Sequence, residues 1–362
     1  MKLHKFFVLT VLLVLLGSLA ACSDEHVDPP SPIAPTPVAP TPVATTTATT
    51  TITLIVSPPI ITAGPPPVVA TSTVLGFSLP VTKVAEYHGT TLVAVIDGDI
   101  VIFPTVGNPK NLTNGRGIKI GHPKISPGLD KVVFEEHGRC TSTSIIKEVD
   151  IASLAISLVV GSENCSDTLS FRYPAYGPDG DIWFSVVNVA LGSNEYIGYI
   201  KNGVIVKYSL AGGSVEGQVF PTPDGLVGVS SGTSSPITLN LFRYIFKGSV
   251  SQKMYKGNFW AFDPSVNSLN TIVAASAVNG NDEGRNIIFV DIKTGVVTKV
   301  SSSRNGIYDV EPSFLNDGIS VVYKATDVHF NPAVVRFYVK TAGNEEIEIG
   351  GLQGATYLGA SR

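Results

Sequence analysis

One corner keeps returning along this chain, and it limits the fold more than any other feature. "YPAYGPDGDIWFSVV" from Tyr173 sets a Pro-Asp-Gly directly before an alternating apolar run, and blurred copies follow it. They are "HPKISPGLDKVVFEE" from His122, "VFPTPDGLVGVSS" from Val219, "FWAFDPSVNSLNTIVAASA" from Phe259 and "VEPSFLNDGISVVYKA" from Val310. Proline fixes φ at the first corner of a tight turn, aspartate bonds back to the turn backbone, and glycine takes the positive φ that closes it. With Pro127, Pro178, Pro223, Pro264 and Asn316 taken as equivalent, the steps are 51, 45, 41 and 52 residues. A period of about 40–50 residues, each unit holding several short strands, is the signature of a β-propeller. The 35 glycines and 25 prolines against only 15% charged residues suit such a turn-rich all-β chain.

The expected architecture is therefore a β-propeller of about six four-stranded blades at about 45 residues each. In each unit the residues before the corner form the innermost strand and the apolar run after it the second strand. "DIWFSVV" alternates because a blade is covered on both faces. Five corners are visible, and the sixth blade is assembled from both ends of the domain. Residues 91–113, "TLVAVIDGDIVIFPTVGNPKNLT", supply its second, third and fourth strands, and 354–361, "GATYLGAS", its innermost one. That closes the ring without an exposed inner edge.

The first 21 residues read as a secretory leader. Lys2, His4 and Lys5 precede an apolar run from Phe6 to Leu16, then small residues up to Cys22. The run is shorter than the ~20 residues of a spanning helix, which disfavours a retained anchor. "LAAC" resembles the bacterial lipobox, which implies acylation of Cys22 by fatty chains such as palmitate, each buried methylene adding about 0.8 kcal/mol of membrane affinity. Ser23 follows in place of the aspartate that marks inner-membrane retention. The address is thus the cell envelope: the outer membrane of a diderm host, or the outer leaflet of the plasma membrane of a monoderm one. Residues 22–73 form a Pro/Thr-rich tether with almost no charge, too poor in burial to order itself. Extended at ~3.1 Å per residue it reaches on the order of 100 Å. The propeller then occupies 74–362.

"NIIFVDIKTGVVTKVSSSRNGIYDVEPSFLNDGISVVYKA" and "DIVIFPTVGNPKNLTNGRGIKIGHPKISPG" resemble the repeats of the TolB-type propeller family. Asp291, Thr294-Gly295, Pro312, Phe314 and Asp317-Gly318 stand where its consensus wants them. The resemblance covers roughly residues 87–362 and implies the fold, with a protein partner on one ring face; it does not imply an activity.

Candidate chemistry is sparse. "GVSSG" around Ser230 matches a nucleophile elbow but lies in a predicted strand with no helix after it, so it reads as structural. His122, His137 and His329 read as solvent-facing or core-edge, the alternative being convergence on a metal at the ring centre. "NGNDEG" (279–284) has oxygen ligands without EF-hand spacing and reads as a hairpin loop. No metal or other cofactor is expected. Cys140 and Cys165 are expected to form a disulfide in an exported protein, closing a loop worth roughly 3–4 kcal/mol. A net charge of −4 argues against a nucleic-acid partner.

Long loops on a rigid scaffold carry recognition, so Glu195, Tyr196, Asp282, Asp327, His329 and Phe330 are expected as a partner-contact rim on the face opposite the Pro-Asp-Gly corners. The leading expectation is a monomeric, membrane-anchored, non-catalytic binding or scaffold propeller whose partner is a protein or another envelope component. The alternative is an exported propeller enzyme, a lyase or hydrolase acting on polysaccharide or glycan.

Overall fold

A computed structural model describes residues 78–362, apart from 116–118, 138–142, 163–166, 192, 202, 209–214, 232–238, 246–249, 255–258, 280–283, 303, 342 and 362. The leader, Cys22, the whole tether, Cys140, Cys165 and Asp282 lie outside the described residues.

The chain opens with strand β1 (Ser78–Pro80), helix α1 (Val81–Tyr87), β2 (Leu92–Ile96), β3 (Asp99–Phe103) and β4 (Lys110–Asn111). Blade 2 is β5 (Lys119–Ile125), β6 (Lys131–His137), β7 (Ser144–Asp150) and β8 (Ile156–Val160). Blade 3 is β9 (Leu169–Tyr176), β10 (Ile182–Asn188), β11 (Ser193–Lys201) and β12 (Val204–Tyr208). Blade 4 is β13 (Val215–Thr222), β14 (Gly225–Ser231), β15 (Leu239–Ile245) and β16 (Val250–Lys253). Blade 5 is β17 (Phe259–Val266), β18 (Ile272–Asn279), β19 (Asn286–Asp291) and β20 (Val297–Lys299). Blade 6 is β21 (Ile307–Phe314), β22 (Ser320–Asp327), β23 (Val334–Thr341) and β24 (Glu346–Gly350), before β25 (Ala355–Ala360).

Six antiparallel sheets result, and the fold is an all-β, six-blade propeller. Blade 1 has the order β25-β2-β3-β4, so the ring closes by pairing the last strand with the first blade, Leu92 facing Ala360. Blade 6 carries a fifth strand, because β1 lies parallel on β24. That strand and α1, which buries Val81, Val84 and Ala85, are absent from the sequence reading.

The corners explain the period. In blades 2, 3, 5 and 6 the N–H of Leu129, Gly180, Asn270 and Gly318 donates to the carbonyl three residues back. All four residues are left-handed, with φ of 58°, 82°, 54° and 70°. Asn270 therefore does the work of the glycine that "FDPSVNSLN" lacks, since asparagine tolerates this region. A second repeated device closes β7 to β8 and β19 to β20: Asp150 accepts from Ser153, and Asp291 from Thr294, through both backbone N–H and hydroxyl.

The core is a set of layers between blades. Phe134, Val132 and Ile125 of blade 2 meet Val93, Ile100 and Tyr357 of blade 1. Phe184 and Val186 of blade 3 meet Val133 and Ile146 of blade 2. Close packing extends to the backbone: a Cβ on Gly198 would stand 2.6 Å from Phe184 Cε2. Burial on both faces is why each second strand reads as nearly continuous apolar sequence.

Candidate functional site

The six innermost strands, β5, β9, β13, β17, β21 and β25, line the propeller axis, and two layers of side chains meet there.

The first layer is made by backbone kinks. His122, Tyr173, Asp263 and Glu311 each precede a proline and each adopts a left-handed conformation, with φ of 49°, 54°, 47° and 55°. Each kink coincides with a shift of register against the second strand of its blade. A residue before proline favours extended backbone, so each kink stores strain on the order of 1–3 kcal/mol. Chemistry-bearing side chains from four blades are thereby brought together. The rings of His122 and Tyr173 lie 4.6 Å apart, and His122 and Tyr357 6.3 Å apart.

Most of this layer is internally neutralised. Glu135 of β6, 1% exposed, receives His122 Nδ1 at 3.2 Å and the backbone N–H of Tyr173 at 3.2 Å, with His137 Nδ1 at 3.6 Å. Burial pushes the Glu135 carboxyl up, but the two histidines and Ser144 outweigh it and hold it below the usual range. For His137 burial prevails over the attraction of Glu135 and pulls the imidazole down. Glu311 is paired with Lys324 at 2.8 Å, and Lys124 donates to the Tyr357 hydroxyl at 2.7 Å. Asp263 has no ion-pair partner among the described residues. Withdrawal from water and then the like charge of Glu311 raise its carboxyl, against the opposing pull of His122 and Arg285.

The second layer lies one step nearer the corners. It is a funnel of about 240 Å³ opening on the corner face, lined from all six blades. Ile125, Ala175, Phe220, Val266, Phe314 and Ala360 give it an apolar wall, and Lys124 is its link to the kink layer. Ser268 and Asn270 stand on the rim.

The residues expected from sequence fall elsewhere. Glu195 and Tyr196 belong to β11 rather than to a loop, since the connection from β10 spans only 189–192. Tyr196 is half-buried against the layer between blades 2 and 3, with Lys207 Nζ 4.7 Å from its ring centroid. Asp327 ends β22, while His329 and the 54% exposed Phe330 follow in the loop, His329 Nδ1 lying 2.9 Å from Asp327. His122 and His137 do converge, on Glu135; His329 is placed apart from them in blade 6. No group of three such side chains among the described residues is arranged to hold a metal ion. Ser230 sits in β14, opposite Asn240 of β15, and among the described residues no helix follows. The kink layer was missed, although its signal was present: a polar or aromatic residue precedes a proline at the same distance from the corner in four of the five copies of the repeat.

No protein-family model matches the chain, and no curated protein matches it either. Among solved structures it resembles TolB from Acinetobacter baumannii, with a TM-score of 0.58 at 16% identity over 76% of this chain and 67% of that one. A putative TolB from Agrobacterium tumefaciens gives 0.53 at 13% identity over 72% and 87%. The tricorn protease gives 0.54 at 12% identity over 71% of this chain but only 25% of its own length. These likenesses establish a TolB-like propeller fold. No helix among the described residues is long and apolar enough to cross a membrane.

Proposed function

We propose that this chain is an exported lipoprotein of the cell envelope, acylated at Cys22, whose propeller is a non-catalytic module for binding a protein partner. The observation that carries the binding reading is the axial funnel, an apolar concavity to which every blade contributes. Such a concavity on a rigid scaffold suits an inserted side chain or loop of a partner. The kink layer beneath it supports binding more than turnover, because Glu135 is already engaged with His122, Glu311 with Lys324 and Lys124 with Tyr357. The neighbouring structures include both TolB proteins and a protease, so the fold itself does not choose between binding and catalysis. Within the same reading, the rim of Glu195, Tyr196, Asp282, Asp327, His329 and Phe330 is the competing surface.

Two measurements test this. Mass spectrometry of membrane-extracted protein is expected to give an acylated N-terminal peptide beginning at Cys22; an unmodified start elsewhere removes the anchor. A photocrosslinking amino acid placed at Ser268 is expected to capture a discrete envelope protein in cells, while the same probe at Phe330 does not. Capture only from Phe330 transfers the surface to the opposite face, and capture from neither removes the binding reading.

A further inference from the structure

A second cleft of about 460 Å³ runs outward from the funnel between blades 3 and 4, sharing Gly177, Pro178 and Pro223 with it. Its floor is aromatic. Tyr199 stacks on Trp183 at 4.4 Å and 17°, and Tyr208 meets Trp183 at 6.1 Å and 67°, so ring faces of different orientation line one space. Asp179 and Asp181 flank these rings and Lys201 completes the lining.

Comparison with the other corners isolates what is unusual. The residue equivalent to Asp179 is Asp224 in blade 4, bonded to Thr222 and Arg243, and Asp317 in blade 6, bonded to Ser320 and His88. The residue equivalent to Asp181 in blade 2 is Asp130, which accepts from Ser126 at 2.6 Å. In blade 3 both carboxylates lack a hydrogen-bond or ion-pair partner among the described residues, and Asp179 is exposed. Two carboxylates against one lysine leave the cleft with one net negative charge at neutral pH.

We infer that this cleft is a subsite for an arginine side chain of the bound protein, the guanidinium lying against the half-buried Tyr199 and Tyr208 rings, which the buried Trp183 backs, and pairing with Asp179 and Asp181. A planar cation satisfies both features at once: it stacks on aromatic rings and offers a fork of donors to carboxylates. Because the cleft opens into the funnel, the partner segment carries its arginine within a few residues of the apolar side chain that fills the funnel. This last step rests on the funnel reading; the arginine subsite itself does not.

The two are separable by experiment. The sequence contains only two tryptophans, so Trp260→Phe makes Trp183 the sole indole reporter. Acetyl-arginine amide is expected to change Trp183 fluorescence saturably, the isosteric but uncharged acetyl-citrulline amide is not, and Asp179→Asn with Asp181→Asn weakens the arginine response about tenfold, one factor of about 1.4 kcal/mol. Lys201→Gln strengthens it. Should the Trp260→Phe protein fail to fold, the indole N–H signals of the native chain report the same titration. Acetyl-Leu-Gly-Arg amide is expected to bind more tightly than acetyl-arginine amide, and Ser268→Arg removes only that gain. Loss of the gain in the native protein contradicts the funnel alone. No saturable response, an equal response to citrulline, or saturation by chitohexaose in place of arginine overturns the subsite.

Discussion

The kink layer and the funnel are made by the same inner strands, two or three residues apart, and they differ in what the repeat allows. At the funnel level the blades offer Ile125, Ala175, Val266 and Phe314, apolar side chains that share a role. At the kink level they offer His122, Tyr173, Asp263 and Glu311, no two alike. The funnel residues stand next to the corner and belong to the packing between blades, so their chemistry is constrained in every copy. The pre-proline residue is turned out of the strand by its left-handed φ and meets its counterparts from other blades side chain to side chain, as His122 meets Tyr173 and Tyr357. The repeat therefore holds the scaffold constant while one position in each of these four blades varies.

Breaking the packed side of this comparison should have the largest effect. Phe314 is 6% exposed and its ring lies 5.2 Å from that of Phe289, so Phe314→Ala is expected to lower stability by about 3–5 kcal/mol in denaturant unfolding. Next comes the polar cluster higher on the same strand. Asp309, 1% exposed, is bonded to Arg304 at 2.9 Å, and Arg304 is shared with Glu346 at 3.0 Å. Burial pushes the Asp309 carboxyl up to about 6, against the pull of Ser301 and Arg304. The folded chain thus holds this proton more tightly than the unfolded chain, whose aspartate titrates near its ordinary value. Its contribution to stability is present below that value and is lost as pH rises to about 6. Asp309→Asn should abolish that fall and leave the protein on the order of 1–3 kcal/mol more stable than the native chain at pH 7.5, with little difference at pH 3.5.

On the kink side, Lys324→Met leaves Glu311 without its ion-pair partner in a part-buried site. A loss of about 1–3 kcal/mol is expected at pH 7, shrinking once acid protonates the carboxylate. Asp263→Asn should act in the opposite direction, stabilising the fold at neutral pH by removing a desolvated charge beside Glu311. A destabilised Asp263→Asn protein would mean that this carboxylate has a stabilising partner. The smallest effect is expected on the funnel rim: Ser268 is exposed, so Ser268→Arg should change stability by less than about 0.5 kcal/mol.

Much of the scaffold was legible in the sequence because local turn chemistry and global closure agree. Pro178-Asp179-Gly180 and Asn316-Asp317-Gly318 have one corner geometry, and the apolar runs after them form the second strands that were expected. The pairing of 354–361 with the first blade follows from the same logic. What could not be read has physical reasons. Helix α1 spans seven residues, too short to establish a helical period, and β1 only three, held by parallel pairing to a strand some 270 positions away. The sequence puts Tyr196 in a loop because "NVALGSNEYIG" is rich in turn formers; a register shift between Val186 and Val187 lets β11 begin at Ser193 instead. The kink residues were visible but unread, since a search by period weights what recurs and discounts the one position whose identity changes. Their meeting at the axis depends on ring closure, which brings residues up to 189 positions apart, His122 and Glu311, into one layer.

The central claim is that the corner face, through its axial funnel, is where this propeller binds. Quantitative mass spectrometry of envelope proteins recovered with the full-length chain tests it most directly, comparing the native protein with Ser268→Arg and Phe330→Ala at matched melting temperature. The account predicts at least a tenfold loss of the specific partner from Ser268→Arg and undiminished recovery with Phe330→Ala. Undiminished recovery with Ser268→Arg, together with loss from Phe330→Ala, would contradict it.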